Sequence, residues 1–274
     1  MSTKKKQAGL VLGVGLILSA FRTALIAYTM EKNSVESDTY YLPDGHIWVT
    51  VFSVVSVVFA LLIMLLALRS TKRAVVLDHK GSAGPASLVL GFLLIGASII
   101  YAVSSEAAKL AGGGMMKIVI ALAVLSAAAF IILGFRSNSA DTSKSFLAVL
   151  SVFPIVFSAF RLLSDFIQTS ATPLASSGAY HILGLSAVLL YFLTEGKSYV
   201  SDSSAKIYFL FGYLSVFFLL VYAVPNLILH CFGVFMFDYG AAFSAVDIGI
   251  AVYVSTRMMT AKIKKENIAV TAAA

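Results

Sequence analysis

Charge is scarce in this chain: Asp, Glu, Lys and Arg supply 12% of its 274 residues, against the roughly 25% usual in soluble domains. Hydrophobic residues make up 59% and the mean hydropathy is +0.94, which excludes a single water-facing globule because so much apolar area cannot be hidden in one core. Cysteine is almost absent. Cys231 is the sole one, so an internal disulfide and every paired-cysteine metal or redox arrangement are excluded. Four histidines are present, and none stands in a zinc-binding spacing.

Enzyme motifs are missing as well. No HExxH or GxSxG occurs. Gly196-Lys197-Ser198 matches the end of a phosphate-binding loop, but Tyr191 stands where its first glycine belongs. No cofactor, no metal site and no ATPase segment are expected, and an enzyme is the less favoured class. The +7 formal charge and pI near 9.4 do not mark a nucleic-acid binder, because the basic residues sit at the ends of apolar runs instead of forming a stripe.

What the chain has is long apolar runs. Crossing the hydrocarbon core takes about 20 residues in a helix, and eight runs qualify, at 8–29, 47–68, 87–106, 116–135, 146–168, 178–195, 206–229 and 239–257. The expected fold is an all-α polytopic integral membrane protein with the lipid bilayer as its main partner. Lys and Arg divide unequally between the two sets of run ends, fifteen against three, with Arg22 and Arg161 inside runs. Basic loops stay on the cytoplasmic side, so both termini are expected to be cytoplasmic. Size and composition resemble those of bacterial inner-membrane proteins, which gives the expected localisation. The first run imitates a secretory signal, but its apolar stretch continues past Arg22, which argues against cleavage.

Short matches suggest a duplication. Ser19-Ala20-Phe21-Arg22 returns as Ser158-Ala159-Phe160-Arg161, and Tyr101-Ala102-Val103 returns as Tyr222-Ala223-Val224. Gly91 pairs with Gly212 and Arg136 with Arg257 at the same offset of 121. Four crossings return a chain to its starting side, so two parallel four-helix repeats are expected, residues 1–137 and 138–259, followed by a short cytoplasmic tail over 260–274. The longest outer loop, Met30–His46, reads as a solvated linker. Gly112-Gly113-Gly114 reads as a flexible turn. Gly9 and Gly13 have the spacing that permits close helix approach.

Arg22, Arg161, Asp165 and Asp247 lie inside apolar runs, where a charge at the bilayer centre costs about 2.5–3.5 kcal/mol on insertion scales. At 1.5 Å per residue Arg22, Arg161 and Asp247 share a depth of roughly 10–13 Å below the outer ends, and Asp165 lies one turn nearer the outside. The leading expectation is an outward-facing polar site in which two guanidiniums offer forked donors to a small anionic solute. His181 and Asn226 join from the same side, and Glu106, Tyr180 and His230 are further neighbours at that level. The competing expectation is a set of internal clamps, Arg161 with Asp165 and Arg22 with Asp247, in a structural or assembly subunit with partner membrane chains. A membrane-embedded enzyme using Asp165 and His181 at the outer face is a third possibility.

Overall fold

The computed structural model describes residues 3–33, 47–69, 74–76, 83–103, 113–136, 143–171, 176–201, 203–232 and 240–264. The helices are α1 (Thr3–Asn33), α2 (Ile47–Leu68), α3 (Ala83–Val103), α4 (Gly113–Arg136), α5 (Lys144–Ala171), α6 (Ser176–Val200), α7 (Ala205–Cys231) and α8 (Gly240–Thr260). Among the described residues eight helices are long and apolar enough to cross a membrane. Helix is the only open-ended way to satisfy every backbone N–H and C=O in lipid. Several hydroxyls within the spans obey the same demand. Ser19, Ser98, Ser158 and Ser255 each donate to the carbonyl four residues earlier, at 2.6–2.8 Å.

Six helices form a closed circuit in chain order: α3 packs on α4, α4 on α5, α5 on α6, α6 on α7, α7 on α8, and α8 back on α3. Helix α1 lies along α7 and touches α8, and α2 packs mainly on α7. Burial follows from this placement: 67% of the apolar stretch is buried in α7 and α8 but only 22% in α2. Helix α2 turns Val51, Val54, Val57, Leu61 and Leu65 outward, as a lipid-facing helix must. The halves interleave. Helix α1 packs along α7, whereas α5, which carries the matching Ser-Ala-Phe-Arg tetrapeptide, packs between α4 and α6.

Close approach is set by different glycines from the pair singled out by spacing. Nothing lies within 4 Å of a Cβ added at Gly9 or Gly13, so that spacing faces open space here. Tight contacts include Gly15 against Leu220, Gly91 against Ile131 and the Ala127 carbonyl, Gly134 against Leu88 and the Gly84 carbonyl, and Gly212 against Met258. At Gly134 the added carbon would sit 2.5 Å from Leu88 Cγ and 3.0 Å from a backbone oxygen. Overpacking of this kind costs about 1–3 kcal/mol. Gly134→Ala is expected to lower the melting temperature in detergent, and Gly9→Ala to leave it unchanged. Equal melting of the two variants would contradict the α3/α4 contact.

Several boundaries differ from the expected runs, among them those of α1, which extends over Thr3–Asn33. Helix α6 continues past the apolar run at Glu195 to Val200, because the Glu195 carboxylate is satisfied inside the protein. Helix α4 starts at Gly113, so two residues of the expected glycine turn are helical. Short strands also form. These are β1 (Ala74–Val76), β2 (Ser203–Ser204) and β3 (Lys262–Lys264), which join as an antiparallel sheet in the order β2-β1-β3. Val75 pairs with Ser203 on one side and Ile263 on the other, so the expected tail is ordered as far as Lys264. The sheet marks one end of the bundle, called here the sheet end, and the other is the far end. Gln7 near the start of α1 accepts from Tyr213 Oη, which places the start of α1 toward the sheet end. Residues 34–46, Glu106 and 265–274 lie outside the described residues.

Candidate functional site

In the far half of the bundle, α5, α6 and α8 bring four ionisable side chains into one chain of contacts. Arg161 and Asp165 are four residues apart and therefore share a helix face. Arg161 Nη2 donates to Asp247 Oδ2 at 2.8 Å and Nη1 lies 2.6 Å from Oδ1, so the carboxylate offsets the guanidinium charge and accepts a charge-assisted hydrogen bond from it. His181 lies between two carboxylates. Its Nδ1 meets Asp165 Oδ2, and its Nε2 is 3.1 Å from Asp247 Oδ2. All four residues are 1–3% exposed.

Aromatic rings wall the cluster. Tyr222 stacks on the His181 ring at 4.0 Å between centroids, and Phe243 lies 4.9 Å from the Arg161 guanidinium carbon. Asn226 shares a hydrogen bond with Tyr222, which links it to the cluster through that ring. Either state of the imidazole finds partners. With the proton on Nδ1 it donates to Asp165 and leaves Nε2 to accept from Arg161 Nη2, 3.4 Å away; with the proton on Nε2 it donates to Asp247. A ring held this way can take a proton at one nitrogen and release one at the other.

Arg22 stands apart from this pairing. It is 4% exposed and donates Nη1 to the Val221 carbonyl at 2.8 Å. Its guanidinium carbon lies 5.0 Å from the centroid of Tyr180 and 6.0 Å from that of Tyr222. Ser19, one turn earlier, shares its one hydroxyl proton between the Gly15 carbonyl and the Leu220 carbonyl, 2.8 Å away, and so anchors α1 to the same stretch of α7. Among the described residues no carboxylate comes within ion-pair distance of Arg22. A buried cation that meets, among the described residues, one carbonyl and two ring faces is incompletely compensated.

The six residues proposed from sequence therefore separate into two groups. Arg161, Asp165, His181 and Asp247 meet directly, and Asn226 reaches them through Tyr222. Arg22 approaches the same Tyr222 ring from the α1 side and does not join its fork to that of Arg161. The clamp pairing of Arg22 with Asp247 does not occur, and Asp247 takes Arg161 instead, because α5 and α8 face each other across the circuit while α1 lies outside it. Tyr180 is half-buried under Arg22, and His230 is half-buried near the end of α7.

Sequence reasoning missed a second buried ionic centre. Near the sheet end Glu195 Oε1 accepts from Arg257 Nε at 2.7 Å, from Tyr253 Oη at 3.0 Å and from Tyr199 Oη at 3.3 Å. Arg257 Nη2 donates to Tyr199 Oη at 2.8 Å, and the Tyr191 and Tyr208 hydroxyls meet at 2.7 Å. Glu195 and Arg257 are each 3% exposed. Arg257, counted among the loop cations that set sidedness, is thus a core residue. Glu195 at the edge of an apolar run, with Tyr199 one turn on, was the available signal.

Among the described residues no group of three or more His, Cys, Asp or Glu side chains is arranged to hold a metal ion. Compared with known protein families, with curated proteins and with solved structures, the chain matches none.

Proposed function

We propose that this is a multi-pass protein of a bacterial cytoplasmic membrane, both termini cytoplasmic, which binds or moves a small anionic solute through an outward-facing polar site. The observation that carries the reading is Arg22, a buried guanidinium with no carboxylate beside it among the described residues. Its fork suits a carboxylate or a phosphate oxygen pair, and the Tyr180 and Tyr222 rings frame the place for one. The Arg161 charge is already met by Asp247, so Arg161 acts here as a positioning residue for Asp247 and His181. Ile26 and Ser126 stand where the proposed repeats would match Asp165 and Asp247, so the acids break the pseudo-symmetry, as suits one ligand site near its axis.

The test is thermal melting of the purified protein in detergent across a panel of carboxylates, phosphate and sulfate. A bound anion stabilises the folded state by about 2.7 kcal/mol at a hundredfold excess over its Kd. At least one member of the panel is expected to raise the wild-type melting temperature, and Arg22→Met to abolish that rise. Without anion, Arg22→Met is expected to melt no lower than wild type, because it removes an incompletely compensated buried cation. A panel in which no anion shifts the wild type overturns the reading. The closed Arg161–Asp247 pair favours the second reading, a structural or assembly subunit. In that case Arg22→Met lowers folded yield and no anion stabilises either protein.

A further inference from the structure

The two buried ionic centres lie on the same helices. On α6, Glu195 follows His181 by fourteen residues, about 21 Å along the axis, and on α8 Arg257 follows Asp247 by ten, about 15 Å. Between them a layer of aromatic side chains crosses the circuit. Phe130 of α4 packs on Phe192 of α6 at 5.9 Å and on Tyr253 of α8 at 5.1 Å between centroids. Phe192 and Tyr253 meet at 6.2 Å. Tyr253 is bifunctional: its ring belongs to the layer, and its hydroxyl donates to Glu195.

A further polar group lies one turn from this layer, toward the far end. Ser126 of α4 is fully buried, and its hydroxyl has no hydrogen-bond partner among the described residues. Ser56 of α2 is left bare in the same way, but Ser126 lies within the circuit, where its hydroxyl offers a hydrogen-bonding partner to an entering water.

We propose that the two centres are the outer and inner stations of a transmembrane proton path through the six-helix circuit, with the Phe130, Phe192 and Tyr253 layer as its barrier. A proton enters at Asp165 and passes to His181 Nδ1 as the Nε2 proton leaves for Asp247. It then passes to water entering beside Ser126, crosses the layer when that water reaches between the Phe130, Phe192 and Tyr253 rings, and is taken up by the Glu195 carboxylate before release at the sheet end. The groups facing His181 are Asp165 and Arg161 from α5, Asp247 from α8 and Tyr222 from α7. Those facing Glu195 are Arg257 and Tyr253 from α8, Tyr208 from α7, and Tyr191 and Tyr199 on its own helix. No anion at Arg22 is required for this path, so it stands independently of the solute reading.

The experiment uses the full chain in liposomes of neutral lipid carrying an internal pH-sensitive dye. A potassium gradient with valinomycin drives protons inward, in chloride alone and with each anion of the melting panel. Wild type is expected to acidify the lumen faster than protein-free vesicles in at least one of these solutions. Glu195→Gln and Asp165→Asn should each return the rate to the protein-free level, and Phe192→Ala should raise it above wild type. Each variant is first checked for a single gel-filtration peak and a cooperative melt; if one fails to fold, the other neutralised carboxylate decides. The proposal is overturned by wild-type rates equal to protein-free vesicles in every solution, or by a folded Glu195→Gln or Asp165→Asn protein that conducts like wild type. Proton flux without any anion-dependent melting would retain this path and remove the solute reading, and the converse would do the reverse.

Discussion

Asp247→Ala is expected to be among the most damaging single substitutions in this protein, lowering stability by about 3–5 kcal/mol. Asp247 neutralises the Arg161 fork at 2.6 and 2.8 Å and accepts from His181 at 3.1 Å. Removing it leaves a guanidinium 1% exposed without its carboxylate. The comparison that isolates the charge is the double variant Arg161→Met/Asp247→Leu, which removes both partners and keeps the volume. Replacing a buried pair with packed apolar groups is often neutral or stabilising, so the double variant should melt far above Asp247→Ala. Melting temperature and folded yield in detergent check both. If the double variant melts as low as the single one, packing and not charge holds α5 to α8.

Glu195→Ala is the second large effect, again about 3–5 kcal/mol. One carboxylate oxygen accepts from Arg257, Tyr199 and Tyr253, and its loss leaves three buried donors without their acceptor. Glu195→Gln retains the shape and one carbonyl oxygen, so it should fall between wild type and alanine. Arg257→Met should be less harmful than Glu195→Ala, since the remaining carboxylate still accepts from two tyrosines. A Glu195→Ala protein that melts like wild type would show that the sheet-end network contributes nothing to stability.

Much of the architecture was legible because lipid imposes a simple rule: an apolar run of about 20 residues must be a helix. Runs such as 47–68 coincide with their helix. The depth argument also placed Arg22, Arg161 and Asp247 at one level, with Asp165 one turn nearer the outside and His181 on the same side. It failed on partners, because depth along a helix says nothing about which helices are neighbours. Arg22 and Arg161 lie at matching positions in matching tetrapeptides, yet α1 packs outside the circuit to which α5 belongs. The sheet-end centre escaped for a related reason. Hydropathy ends a span at its first charge, and Glu195 was taken as that end, whereas a carboxylate with three donors lets the helix run on.

The small sheet has a mechanical consequence. Strand β1 follows α2, β2 lies between α6 and α7, and β3 follows α8, so backbone hydrogen bonds fasten together connections drawn from both halves of the chain. A knot of this sort holds the helix feet at a fixed spacing. Any tilting that admits water to His181 then has its fulcrum at the strands and its widest swing at the opposite rim, where Arg22 and Asp165 stand. Cutting the knot, by placing proline at Val75 where the pairing runs on both sides, would free the feet as well and let both rims spread.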